Sequence, residues 1–277
     1  MTASSFGNSP FETLLCDRPA PGVARIALNR PGAMNAYSFL MTQELQAAIA
    51  GFRDDDDLKA LVLTGAGDRA FCTGGDISGS DPDHSSRVAA QPMGHGREMR
   101  DGMQAVVMAL HRLDKPSVAM IRGYAVAGGL ALACACDFRL AAASAKLGDT
   151  SGKVGLLPDE GGAWLFPRLM GLDRALKMTL LSEIYDAALA ADLGLVTEVV
   201  ADELLEARTL AFAAALATRA PLAVRLTRMM MARAGQISLE ESMVDAQMAV
   251  MITNPSADVR EGVAAFREKR PPKFEGR

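Results

Sequence analysis

Cysteine, histidine and tryptophan are scarce in this chain of 277 residues, and their scarcity narrows its chemistry. The 4 cysteines, Cys16, Cys72, Cys134 and Cys136, lack the paired Cys-x-x-Cys spacing of a zinc site, so reduced, packed thiols are expected. The 3 histidines, His84, His95 and His111, form no metal-ligand spacing either, and no metal is expected. Although 49% of the residues are hydrophobic, they come in short runs, none near the roughly 18 apolar residues of a membrane span. The segment 1–10 has neither the basic start nor the apolar stretch of a secretory signal; it reads as a flexible tail on a cytoplasmic protein. A net charge of −4, without a Lys/Arg stripe interleaved with aromatics, excludes a general affinity for nucleic acid and favours a small-molecule partner. The run Asp54-Asp55-Asp56-Asp57 lacks an EF-hand ligand pattern and reads as a solvated loop.

What is present is an alternation of strand and helix. Val23 to Leu28 reads as a strand, and Ser38 caps a helix running to about Phe52 with Leu40, Leu45, Ala48, Ile49 and Phe52 on one face. Ala60 to Thr64 and Ser117 to Ile121 read as buried strands, and a helix is expected from about Arg97 to Leu113. Such repetition argues for a mostly parallel sheet covered by helices, hence an α/β fold. Residues 77–96 show little periodicity and are expected to form a mobile loop beside the ligand. Beyond Leu172 the pattern is helical apart from a short strand at Val196 to Val200, and Met229, Met243, Met248 and Met251 recur at helical spacing, as core or subunit interface. The organisation expected is a tail at 1–10, an α/β core at 11–200 and a helical region at 201–277.

Two glycine-rich turns follow the buried strands. Thr73-Gly74-Gly75-Asp76 comes after the first, and Ala127-Gly128-Gly129 after the second, immediately before a helix-forming stretch. Glycine lets backbone approach a ligand closely, and the first N–H groups of a helix have no intrahelical acceptor. Two such amides aimed at one point would hold a carbonyl oxygen as it becomes anionic.

The chain resembles the crotonase superfamily, the enoyl-CoA hydratase/isomerase family. The resemblance rests on Leu28-Asn29-Arg30-Pro31 with Met34-Asn35-Ala36, Leu63-Thr64-Gly65-Ala66-Gly67, Phe71-Cys72-Thr73-Gly74-Gly75-Asp76, and Lys115-Pro116 before Gly123-Tyr124-Ala125. Cys136-Asp137, Ala145-Lys146-Leu147-Gly148, Gly155-Leu156-Leu157-Pro158, Glu268-Lys269-Arg270 and Pro272-Lys273-Phe274 extend it over nearly the whole chain. It implies a spiral of β-β-α units with a helical C-terminal oligomerisation region, an acyl-CoA thioester substrate, and a homotrimer or dimer of trimers. No nicotinamide, flavin or metal cofactor is implied; CoA enters as part of the substrate. The oxyanion-hole amides fall on Gly75 and Gly128. Arg30, Ala70, Phe71 and Cys72 fall where relatives hold CoA, and Lys273 and Phe274 where a neighbouring subunit reaches it.

The acid/base positions depart from the family pattern. Hydratases of this kind use two glutamates, whose positions here are Ala131 and Ser151, and neither side chain exchanges protons near neutral pH. In relatives that isomerise 3-enoyl-CoA to 2-enoyl-CoA, a single carboxylate lies in a turn matching Pro158-Asp159-Glu160-Gly161-Gly162. Counting from Gly155 matches Asp159, with Glu160 in reserve; burial against Trp164 or Phe166 would raise its pKa. Both acids also suit the start of a helix. Asp149 faces either the acyl pocket or a turn hydrogen bond, Asp76 holds the loop after Gly75, and Asp137 is a structural hydrogen-bonder. Ser151 lacks a nucleophile elbow. The expected activity is enoyl-CoA isomerisation, with hydration by nonstandard acids, noncatalytic acyl-CoA binding and other enolate chemistry as alternatives.

Overall fold

The computed structural model describes Phe6, residues 11–78 and residues 82–277, the side chains of 82–85 excepted. The expected tail at 1–10 thus lies outside the described residues, save for Phe6, which is buried in the core. The chain opens with a hairpin of β1 (Leu14–Ala20) and β2 (Val23–Leu28), followed by α1 (Phe39–Asp54), β3 (Ala60–Gly65) and β4 (Ala70–Cys72). Three short helices come next, α2 (Pro82–Ala89), α3 (Gly94–Asp101) and α4 (Met103–His111). Then follow β5 (Ser117–Ile121), β6 (Tyr124–Val126), α5 (Gly128–Cys134), β7 (Phe138–Ala142) and β8 (Lys146–Gly148). The remainder is α6 (Gly162–Met170), α7 (Leu172–Leu180), β9 (Ile184–Asp186), α8 (Ala187–Asp192) and β10 (Glu198–Val200), then α9 (Leu205–Ala217), α10 (Pro221–Ala234), α11 (Leu239–Thr253) and α12 (Ala257–Glu268).

The larger sheet has the order β1-β2-β3-β5-β7-β10 and is parallel except at β1 and β2; the smaller, β4-β6-β8-β9, is parallel except at β8 and β9. Three successive units lay one strand into the larger sheet, turn sharply, lay a short strand into the smaller sheet and return through helix. These are β3-β4 with α2 to α4, β5-β6 with α5, and β7-β8 with α6. The sharp corner needs close backbone approach. At Gly123 (φ +62) a Cβ would collide with the Arg69 carbonyl, so only glycine lets β6 lie beside β4. The parallel strands are buried on both faces, which is why β3 and β5 are continuous apolar runs rather than alternating ones.

Ser38 caps α1, accepting the Met41 N–H at 3.2 Å, but Leu40 faces outward while Met41, Leu45, Ala48, Ile49 and Phe52 are buried. Much of the segment 77–96, expected as loop, is helix, and the single helix expected from Arg97 is two, broken at Gly102 (φ −95, ψ −112). The strands β1, β4, β6, β7, β8 and β9 carried too little pattern to be expected; three- to seven-residue strands take their stability from their neighbours. All four cysteines are free and buried.

α9 packs across the larger sheet, whereas α10, α11 and α12 leave Met231 (74% exposed), Met251 (71%) and Phe266 (86%) uncovered. No single helix among the described residues is long and apolar enough to cross a membrane. Asp137 ties this region to the core: its Oδ2 accepts from Ser117 N–H (2.8 Å), Ser117 Oγ (3.0 Å) and Arg228 Nε (2.9 Å). Asp137→Ala leaves the mostly buried Arg228 guanidinium without its counter-charge, held only by the Leu110 and His111 carbonyls, and a buried N–H without its acceptor; the expected loss is about 3 kcal/mol of stability, read as a lowered midpoint in urea unfolding.

Candidate active site

The β-β-α corners bring together the two glycine turns and the Pro158–Gly162 turn, and Tyr37 joins them. Tyr37 pairs with Gly75 in a parallel bridge: its N–H donates to the Gly74 carbonyl (2.9 Å) and its carbonyl accepts from Asp76 N–H (3.0 Å). In a parallel bridge the bracketed residue turns its own N–H away from the partner strand, so the Gly75 amide faces away from Tyr37. The Gly74 turn abuts the second glycine turn: a Cβ on Gly74 (φ +94) would lie 3.0 Å from Ala127 Cβ and 3.3 Å from Gly128 N. Ala127, pinned by its N–H to the Gly148 carbonyl at 3.1 Å, holds φ 50 and ψ −129. An L residue rarely adopts this conformation, which costs on the order of 1–3 kcal/mol. It swings the chain so that Gly128 opens α5 at a position whose N–H has no acceptor within the helix.

Glu160 lies against this corner. It is only 6% exposed, its Oε1 accepts from Tyr37 Oη at 2.6 Å, and a Cβ on Gly128 would overlap that oxygen. Its other oxygen, Oε2, is buried with no hydrogen-bond partner. Burial pushes the Glu160 carboxyl up to about 7; the Tyr37 hydrogen bond opposes this, and the charge of Asp159 adds to it. Burial likewise raises the Tyr37 phenol, so it stays protonated and acts as donor. A carboxyl poised near neutrality beside the two glycine turns can take a proton and return it.

Asp159 is half-buried, and its carbonyl accepts from Gln104 Nε2 (2.8 Å). Neither acid caps α6, whose N-cap is Gly161 with no side-chain capping bond. Trp164 is 39% exposed, edge-on to His111 and beneath Arg168, while Phe166 is buried. Ala131 is buried, and Ser151 donates its N–H and Oγ to Asp149 Oδ1, a turn bond within a buried pair.

The residues aligned with CoA contacts have other engagements. Arg30 donates to Asp76 Oδ2 (2.8 Å) and the Ala36 carbonyl (2.7 Å), while Asp76 Oδ1 holds Ser78, so this pair fixes the loop after Gly75. The side chains of Ala70, Phe71 and Cys72 are buried, which leaves only their backbone to meet a ligand. Lys273 N–H donates to Glu261, and Phe274 packs on Gly262, placing both on α12 of their own chain. His95 is exposed on α3, His111 ends α4, and the side chain of His84 lies outside the described residues.

The family model for enoyl-CoA hydratase/isomerase matches residues 19–277. The chain belongs to this family, part of the crotonase superfamily. It is 36% identical over 254 residues to (E)-benzylidenesuccinyl-CoA hydratase of Thauera aromatica, covering 92% of this chain and 96% of that one. It is 34% identical to 1,2-epoxyphenylacetyl-CoA isomerase of Escherichia coli, with the same coverage of 92% and 96%. The crystal structure of an enoyl-CoA hydratase from Bacillus anthracis superposes with a TM-score of 0.88 at 31% identity, over 96% of this chain and all of that one. As a member of the enoyl-CoA hydratase/isomerase family, the chain is an acyl-CoA enzyme, and its α/β spiral is the crotonase fold.

Tyr37 is the site residue that sequence reasoning missed. It directly follows the Met34-Asn35-Ala36 motif, yet 123 positions separate it from Glu160, and nothing local signals that contact. Asn35, buried beside it, accepts from Arg30 N–H and donates to the Ala66 and Ala70 carbonyls, which anchors the loop that carries Tyr37.

Proposed function

We propose that this enzyme is an enoyl-CoA double-bond isomerase in which Glu160 is the base. The observation that carries this reading is one buried carboxyl with a free oxygen packed on Gly128, where the positions of the two hydratase glutamates hold Ala131 and Ser151. In the reaction, Glu160 takes a proton from C2 of a 3-enoyl-CoA, and the electron pair of that C–H bond passes into the thioester. The Gly75 and Gly128 amides hold the resulting dienolate oxygen. Glu160 then returns the proton to C4, and the double bond moves from C3=C4 to C2=C3. One carboxyl suffices, because the proton removed and the proton returned differ only in position.

Asp159, next to Glu160, provides a second carboxyl, and it supports hydration as the other reading. Two acids are what water addition across C2=C3 requires. The two readings part on products. Incubated in D₂O with 3-hexenoyl-CoA, the enzyme is expected to yield 2-hexenoyl-CoA carrying deuterium at C4, as followed by mass spectrometry and NMR. Formation of 3-hydroxyhexanoyl-CoA from 2-hexenoyl-CoA at a higher rate would select hydration, and neither product with tight binding would select a binder.

The uncovered apolar residues of α10 to α12 support self-association through this region, as a trimer or dimer of trimers. The backbone of Ala70 to Cys72 is the CoA contact that the burial of those side chains supports; Arg30, aligned with a CoA contact in relatives, also holds Asp76.

A further inference from the structure

We infer that Tyr37 is a positioning residue for this site: its hydroxyl holds Glu160 Oε1 against the Gly128 turn, so that Oε2 alone carries the proton. The inference rests on Glu160 being the base. Tyr37 touches every part of the corner. Its backbone is bonded on both sides of Gly75, its ring lies where a Cβ on Gly128 would come within 2.9 Å of Cε1, and its hydroxyl reaches Glu160 at 2.6 Å. The loop behind it is held rigidly, by Asn35 to the Ala66 and Ala70 carbonyls and by Arg30 to the Ala36 carbonyl. Met34 and Asn35 both adopt φ 54, a left-handed conformation that these bonds sustain.

The two oxygens of Glu160 are therefore unequal. Oε1 has its partner; Oε2 is buried with none, and an ionised carboxylate has lone pairs to satisfy on both. The proton that Glu160 takes up goes to Oε2, while Tyr37 keeps the carboxyl plane from rotating. Few other titratable groups bear on the pair. Asp159, on the same turn, bears on it directly, its carboxyl within side-chain hydrogen-bonding reach of Glu160 and its charge raising the Glu160 pKa, and Cys72 comes from β4 with its thiol pushed up to about 12 by burial, hence neutral. α5 carries no charged residue, α4 presents the neutral Gln104, and Asp76 is tied to Arg30.

The Tyr37 hydrogen bond favours the ionised carboxylate, so its removal must raise the Glu160 pKa. In Tyr37→Phe, the acid limb of the pH profile for C2 proton exchange from 3-hexenoyl-CoA is expected about one pH unit higher. Well above the limb, kcat is expected to fall by no more than about 10-fold with KM unchanged, since the base is ionised there. The same shift is expected without substrate, in a ¹³C NMR titration of the glutamate carboxyl that disappears in Glu160→Gln. A limb and a carboxyl resonance unmoved in Tyr37→Phe would overturn the inference and show Tyr37 to be packing alone. Should that variant fail to fold, 3,5-difluorotyrosine at position 37, a stronger donor, is expected to move the limb downward, and an unchanged limb overturns the inference equally. Exchange that survives Glu160→Gln marks instead the failure of the proposed base, a result that Tyr37→Phe does not produce.

Discussion

Glu160→Gln is expected to lower C2 proton exchange and isomerisation about 10²–10⁴-fold while making the folded protein more stable at alkaline pH. The first effect follows because an amide cannot take the proton, and the glutamine carbonyl still accepts from Tyr37, so the site keeps its shape. The second follows from linkage. The folded-state pKa of Glu160 is raised from the model-peptide value of 4.5 to about 7, so between these values the native protein holds a proton that the unfolded chain has released. Stability therefore falls as pH rises through that window and levels off above it. At pH 8 the cost of keeping the charge buried is about 3 kcal/mol, and it vanishes below the unfolded pKa. Urea unfolding of wild type and Glu160→Gln at pH 5 and pH 8 is expected to show near-equal stability at the first and a more stable variant at the second. Asp159→Asn serves as the comparison. Removing its charge is expected to lower the acid limb of the activity profile, with exchange at pH 8 largely retained. Loss of exchange in Asp159→Asn with retention in Glu160→Gln would transfer the base role to Asp159.

Gly128→Ala is expected to cost about 10²–10³-fold in kcat, whereas Gly75→Ala costs far less. Neither substitution deletes a backbone N–H, so the difference is steric. A methyl group on Gly128 overlaps Glu160 Oε1 and comes within 2.9 Å of Tyr37 Cε1; on Gly75 it meets the Tyr37 ring at 3.5 Å, an ordinary contact. Neither glycine has positive φ, so no backbone strain accompanies either change. The Glu160 carboxyl is the end of a flexible side chain and yields to the methyl group, which moves the base off the carbon it must reach. The fold then survives with a modest loss, about 1–3 kcal/mol. Thermal unfolding together with exchange kinetics separates the cases. Equal kinetic losses in the two variants would detach Glu160 from the Gly128 turn.

Local pattern was enough for much of this protein. Continuous apolar runs at β3 and β5, the Ser38 cap of α1 and the periodicity of α7 to α12 are each written within a dozen residues, because burial on both faces and helical spacing are properties of a segment. The glycine turns and the absence of both hydratase glutamates were legible for the same reason: a motif and a substitution are read at single positions. Short strands such as β8 and β9 were not legible, since three residues encode no period and gain their hydrogen bonds only once β6 is in place. The choice between Asp159 and Glu160 lay equally beyond the sequence. Counting positions favours the first, but adjacent residues on a turn point in different directions, and only the packing of β4, β6 and the Pro158–Gly162 turn determines which one is buried. That packing strips water from Glu160, sets it on Gly128 and brings Tyr37 to it across 123 residues. Desolvation and hydrogen bonding depend on what surrounds a group in space, and those surroundings come from segments far apart in the chain.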